Sequence, residues 1–256
     1  MAESYQFIFI FLLILTTAVE FYLGHRQKNF VLKNKKKVPS AFTKIIKLAD
    51  HKKAADYTVS KINFNSIELI FGAIILYLFT LGGGINLMNN LMGQYFENPL
   101  LNGAVIITSI FVALHLIGIP SSIYQTFVIE TKYGFNKITP KLFFADQIKS
   151  VIIMIILSIV VSFAALWILS ELGNEWWLWL WIFLSVLSLI GVALAPVLKQ
   201  LFNKYTPIKD KSLKKNIEKL LKRCGFESSG LFEMNGSLRS THGNAFFGGF
   251  GKTKRI

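Results

Sequence analysis

What most narrows the structures open to this chain is where charge is missing. Between Glu3 and Glu20, Glu68 and Glu97, Glu97 and Glu130, Lys149 and Glu171, and Glu175 and Lys199 there is no Asp, Glu, Lys or Arg. A helix rises about 1.5 Å per residue and must cover about 30 Å of hydrocarbon, so roughly 20 such residues span a bilayer. One Lys or Arg at mid-bilayer costs about 2.5–3.5 kcal/mol on insertion scales, which is why spans need windows this clean. Five spans are expected, at about 5–23 (with Glu20 near its end), 67–85, 103–124, 151–169 and 176–197. Hydrophobic residues make up 53% of the 256 and charged residues only 16%, too apolar a balance for an ordinary soluble domain.

The positions of the basic residues fit the same plan. Eleven Lys and Arg lie in 25–66, four in 125–150 and thirteen in 199–256, which accounts for all 28; segments 1–23, 86–102 and 170–175 hold none. In a five-span chain these three basic segments share one side, so the positive-inside rule puts the N-terminus outside and the C-terminal tail in the cytoplasm. The net charge of +14 is thus explained by topology. Nucleic acid is not an expected partner, because no base-stacking aromatic series is interleaved with the cations. The first run carries Glu3, has no basic flank before it and no small-residue cleavage site before Arg26, so it is expected to be a retained anchor rather than a secretory signal. Trp176, Trp177, Trp179 and Trp181 open the fifth span as an interfacial aromatic belt.

Outside the spans, Phe42, Ile45, Ile46 and Ala49 follow helical spacing after Pro39-Ser40, predicting a short amphipathic helix at the membrane face with lysines placed to touch anionic lipid. The segment 127–150 has too many specific polar residues for a plain connector and is expected to turn at Gly134-Phe135-Asn136. Leu213, Ile217, Leu220, Leu221 and Cys224 share one face of a further helix, with Cys224 as a core residue and Gly225 ending the helix. Asn235-Gly236 between two short apolar runs predicts a hairpin with a type I′ turn. Residues 244–256 are expected to form another strand with a glycine-rich end.

Little local chemistry is legible. Gly251-Lys252-Thr253 resembles the end of a phosphate loop, but Phe246 stands where that loop needs glycine. His25, His51, His115 and His242 are followed by Arg, Lys, Leu and Gly, so no His-Glu-x-x-His helix is present. Cys224 is the only cysteine, which excludes an internal disulfide or a Cys-rich zinc module. Glu20 and His115 are the ionisable groups within or next to spans; interfacial exposure and ordinary packing are the competing explanations for them.

Three stretches, FVIETKYGFNKITPK with Asp146 following, LFNKYTPIKD, and SLRSTHGNAFFGGFGKTKRI, resemble in order and spacing the integral-membrane CAAX prenyl protease 1 family of zinc metallopeptidases. In the last stretch Arg239, Ser240, His242, Asn244, Ala245, Phe247, Gly249, Phe250, Gly251, Lys252, Lys254, Arg255 and Ile256 carry the likeness. The resemblance implies membrane helices around a large chamber and a gluzincin-type zinc site that removes a C-terminal peptide from prenylated CAAX proteins. It implies no zinc ligand and no catalytic residue here: the family's His-Glu-x-x-His and later glutamate would follow Ile256, so the chain alone is expected neither to bind the cofactor zinc by that motif nor to hydrolyse peptides. It does imply a substrate-side edge strand, with Asn244 and Ala245 as backbone contacts and His242 and Phe246 as neighbours; simple strand packing is the competing explanation.

The expected fold class is a mainly α, polytopic membrane protein. About five transmembrane helices are joined by a cytoplasmic helix and a C-terminal β-hairpin or edge strand that begins an incomplete metalloprotease domain. Residues 1–198 form the membrane domain and 199–256 the start of the cytoplasmic one. The expected partners are the lipid bilayer and a C-terminal prenylated or hydrophobic peptide. The alternative is a non-catalytic membrane protein that binds such peptides. A transporter has less support, since the spans lack paired charges and corresponding broken helices.

Overall fold

The computed structural model describes residues 2–93, 95–248 and 254. Five of its helices are long and apolar enough to cross a membrane. They are α1 (Ala2–Asn34), α2 (Leu48–Thr80), α4 (Pro99–Ile123) with a π-helical extension Tyr124–Glu130, α5 (Pro140–Glu171) and α6 (Trp176–Phe202). A short α3 (Gly84–Met92) follows α2, and after α6 come β1 (Tyr205–Pro207), α7 (Lys211–Arg223) and β2 (Phe232–Met234). The chain divides into two units, 1–97 with 109–134, and 98–108 with 135–256.

In the first unit, α1 and α2 run antiparallel and overrun the expected spans. Beyond Leu23, α1 continues for eleven residues because α2 runs beside it. Gly24 faces Ile62 and Ser66, the Lys35 ammonium pairs with Asp56, and the His51 ring bonds the Asn34 carbonyl at 3.0 Å. The amphipathic helix expected around Phe42 is not formed. Ser40–Phe42 is a single 3-10 turn, the Phe42 carbonyl takes both the Ile45 and Ile46 N–H groups, and extended Lys47 (ψ 146°) resets the chain for α2. One turn is too short to propagate as a helix.

The second span stops at Thr80 rather than Ile85, since Gly83 takes a left-handed φ of +85° that glycine adopts at no steric cost. Pro120 lies within α4 and lacks an amide hydrogen; four residues on, the helix loosens into the π turn. Here Tyr57 donates to Glu130 (2.6 Å), the Ser60 and Tyr133 hydroxyls meet at 2.7 Å, and Ser121 donates to Glu68 (2.7 Å), so α2 grips the end of this span.

In the second unit, α5 starts eleven residues before its apolar run. Thr139 caps it by accepting from the Leu142 amide, and Pro140 occupies the first turn, where a missing N–H is harmless. The start of α4 lies close against α5: Ala104 is fully buried, a carbon added at Gly103 would sit 2.8 Å from Leu166 Cδ1, and Thr108 donates to Ser158 across the contact at 3.0 Å. Small residues permit this approach where lipid offers no hydrophobic drive. The four tryptophans of α6 are 41–65% exposed, as a lipid-facing belt requires.

A small two-stranded sheet stands near the C-terminal end, but not as a hairpin across Asn235-Gly236. Strand β2 pairs antiparallel with β1, on the far side of α7 in sequence, with Thr206 opposite Glu233. Asn235 has φ −72° and Gly236 is not left-handed, so no type I′ turn forms. Instead Asn235 closes the β1–β2 ladder: its side-chain oxygen accepts from the Lys204 amide (2.8 Å) and its own amide donates to the Lys204 carbonyl (3.1 Å). Helix α7 is ended by Gly225 at φ +64°, as expected, and is capped at its start by Asp210, which accepts from the Ser212 and Leu213 amides. Cys224, however, is exposed, as are Leu213 and Leu220, because no other described element packs broadly on α7.

Replacing Ala104 by Leu forces a larger side chain into the α4–α5 contact and is expected to cost about 1–3 kcal/mol. Thermal unfolding in detergent should show a lowered Tm, whereas the same change at an exposed, lipid-facing position should not.

Candidate functional site

The peptide-edge residues belong to a segment fixed at its start. Gly134, at φ +78°, lets the chain reverse after the π turn. Residues 135–139 then run extended beside 239–241: the Lys137 amide donates to the Arg239 carbonyl, the Thr241 amide to the Phe135 carbonyl, both at 3.0 Å, and Asn136 and Ser240 form an antiparallel bridge. The expected turn at Gly134-Phe135-Asn136 is therefore also a pairing partner. The Asn136 side chain holds the local shape by accepting from the Ile138 amide at 2.8 Å.

Arg239 is the node. Its Nε and Nη2 reach Asp146 Oδ2 on α5 at 2.9 and 2.8 Å, Nη1 donates to Asn203 Oδ1 at 3.0 Å, and Nη2 donates to the Phe202 carbonyl at 2.6 Å. A guanidinium suits this position because its planar fork serves several acceptors at once, including a carbonyl left open at the end of α6. The Arg239 and Asp146 side chains keep only 21% and 17% of their surface exposed, so the pair is shielded enough to matter. Lys149 lies 3.9 Å from the other Asp146 oxygen and donates to the Leu201 carbonyl at 3.4 Å.

Beyond the node the chain is open. The His242 ring stacks on Phe135 with centroids 4.2 Å apart, and its amide donates to the Ser240 hydroxyl. Asn244 and Ala245 are exposed and take no ladder partner among the described residues; of the strand expected over 244–256, the described part shows a bridge residue at Gly248. Phe246 is half-buried under Lys199, whose Nζ is 3.8 Å from the ring centroid. All four expected residues thus lie on one short stretch, with the Asn244-Ala245 backbone open between two aromatic contacts. Residues 249–253, 255 and 256, which include Gly251-Lys252-Thr253 and the end of the family-like motif, lie outside the described residues.

The node's role is not assigned by any local motif. The available signal is isolation: Arg239 is the one basic residue between Arg223 and Lys252, and Asp146 the one acidic residue between Glu130 and Glu171. Glu20 sits on an exposed face of α1, and the His115 Nε2 is buried with no partner among the described residues. Zinc, which the family resemblance implies, does not fit the donors present: among the described residues no three His, Cys, Asp or Glu side chains lie together as a metal site. His242 faces an aromatic ring rather than a second ligand.

Arg239→Gln would leave the shielded Asp146 carboxylate without its cation and is expected to lower stability by about 2–3 kcal/mol, toward the low end of values for broken buried pairs. Thermal unfolding of the chain in detergent should show this loss, and the double change of Arg239→Met with Asp146→Leu should recover most of it.

Residues 27–204 match the family model described as the CAAX prenyl protease N-terminal region with five membrane helices. The chain is 32% identical over 245 residues to the CAAX prenyl protease 1 homolog of Mus musculus, covering 93% of this chain and 51% of that protein. It is 32% identical over 225 residues to the homolog of Caenorhabditis elegans, covering 88% and 50%. The crystal structure of S. mikatae Ste24p aligns with a TM-score of 0.85 at 28% identity, covering 95% of this chain and 57% of that one. The chain therefore spans about half the length of the relatives it matches. The five membrane helices, a family match that runs from the end of α1 through the other four and these identities together establish that the chain is an integral, multi-pass membrane protein of the CAAX prenyl protease 1 family.

Proposed function

We propose that this chain is the membrane-embedded, substrate-receiving part of a zinc metalloendopeptidase that trims the C-terminal peptide of prenylated CAAX proteins. Residues 1–198 act as its membrane domain and residues 199–256 as the start of its cytoplasmic one. The observation that carries this reading is the exposed Asn244-Ala245 backbone, without a ladder partner among the described residues and following a segment pinned by the Arg239 node. An extended peptide can add to such an edge as a further strand, its affinity coming from main-chain hydrogen bonds that depend little on side-chain identity. Asn244 and Ala245 supply those contacts, with His242 and Phe246 flanking them. Hydrolysis needs a ligand set that this sequence does not contain, so the chain alone binds peptide and leaves it intact.

The matching experiment uses the chain in lipid nanodiscs with a fluorescent farnesylated peptide. Ala245→Pro removes one backbone donor and Asn244→Ala one polar side chain; each is expected to weaken binding about three- to tenfold, the equivalent of one hydrogen bond. Unchanged affinity in both variants would reject the edge, and zinc-dependent cleavage by the purified chain would reject its inactivity.

The basic segments support an N-terminus outside and a cytoplasmic tail. Cys224 is the only cysteine and is exposed, which makes it a natural reporter of that orientation. A membrane-impermeant maleimide should label it in inside-out vesicles and not in intact cells. The opposite pattern would invert the topology.

A further inference from the structure

Lys199 stands in the last turn of α6 with its ammonium over Phe246 rather than against an acid. A cation near the end of a helix ordinarily serves the open carbonyls there. In this helix those carbonyls have other donors: the Lys199 carbonyl takes the Asn203 amide at 3.0 Å, Leu201 takes Lys149 at 3.4 Å, and Phe202 takes Arg239 at 2.6 Å. No acid balances Lys199 either, since it forms no ion pair among the described residues, and Asp146 is held by Arg239 at 2.8 Å with Lys149 at 3.9 Å. The carboxylate at this end of α6 is thus already served by two cations, and Lys199 is a third cation at the same helix end with none of its own, which favours a further anion.

The ring that holds this ammonium follows directly on Ala245. At about 3.3 Å per residue, a peptide lying along Asn244-Ala245 comes within about two residues of Phe246. We infer that Lys199 is a specificity-determining residue that receives a peptide carboxylate at the end of the Asn244-Ala245 edge, with Phe246 as the platform that keeps the ammonium in place. This rests on the reading of that edge as the peptide site. The aromatic contact gives up little when an anion arrives, since an exposed cation–π pair is weak and a charge-assisted hydrogen bond is stronger. The carboxylate has two sources, the free C-terminus of the peptide or an acidic side chain near it.

Three farnesylated fluorescent peptides of one sequence separate these cases in nanodiscs: one with a free C-terminus, one amidated, and one amidated with a terminal glutamate. The native chain should bind the free acid about tenfold more tightly than the plain amide. Lys199→Met should erase that preference, so that free acid and amide bind equally at whatever affinity the loosened edge retains; Lys199→Arg and Lys149→Met should both keep it. Recovery of tight binding by the glutamate peptide would assign the site to carboxylates in general, and its absence to the C-terminus alone; both outcomes support the inference. A preference that survives Lys199→Met, or disappears in Lys149→Met instead, overturns the role of Lys199 while the edge stands. If none of the three peptides binds, the edge itself falls and Lys199 loses its role with it.

Discussion

Hydrocarbon tolerates neither charge nor an unpaired backbone group, and most of this protein follows from that intolerance. Helices satisfy their own amides and carbonyls, so each charge-free window becomes a helix, and the cations that could not enter collect where the windows end. Once oily surface surrounds a helix, apolar burial no longer decides how two helices meet. The α4–α5 contact accordingly uses a buried alanine, a glycine and a Thr-Ser hydrogen bond in place of interlocking leucines.

Where the chain leaves the membrane, a different economy applies. Among the described residues, the segments after α6 form a three-residue strand pair, one α-helix and a single 3-10 turn, and polar bonds of known direction do the holding. Arg239 joins α5, the end of α6 and the chain that leads to Asn244, and the 135–139 segment adds two backbone hydrogen bonds to the same place. An exposed stretch such as Asn244-Ala245 keeps a defined course because both of its sides are fastened, by the His242–Phe135 stack before it and the Lys199–Phe246 contact after it.

The membrane spans were legible in the sequence because their signal is physical exclusion, which needs no knowledge of neighbours. Their ends were not. Helix α1 reaches Asn34 since α2 accompanies it, and α5 begins at Pro140 since Thr139 caps it; the first of these depends on a partner that hydropathy cannot see. Asn-Gly suggested a turn from local preference, yet Asn235 serves Lys204, 31 residues earlier and just before β1, through its side chain. Cys224 follows the apolar stripe of α7 but stays exposed, because a stripe says that a face wants cover and not what supplies it. The positions flanking the open edge came from family likeness alone. The Arg239–Asp146 pairing left a faint trace, a lone base and a lone acid, that gains meaning only once the fold brings them within 3 Å.

The overrun of α1 changes what the lysine-rich link to α2 can feel. Eleven residues past Leu23 amount to about 15 Å along the membrane normal at an ordinary tilt of about 20°, whereas the headgroup layer on one side is only about 7 Å deep. Were the hydrocarbon to end near Leu23, the cations of 35–47 would stand clear of the lipid surface on a two-helix post instead of resting in it. With a screening length of about 8 Å at physiological ionic strength, their attraction to anionic lipid would be largely lost across that gap.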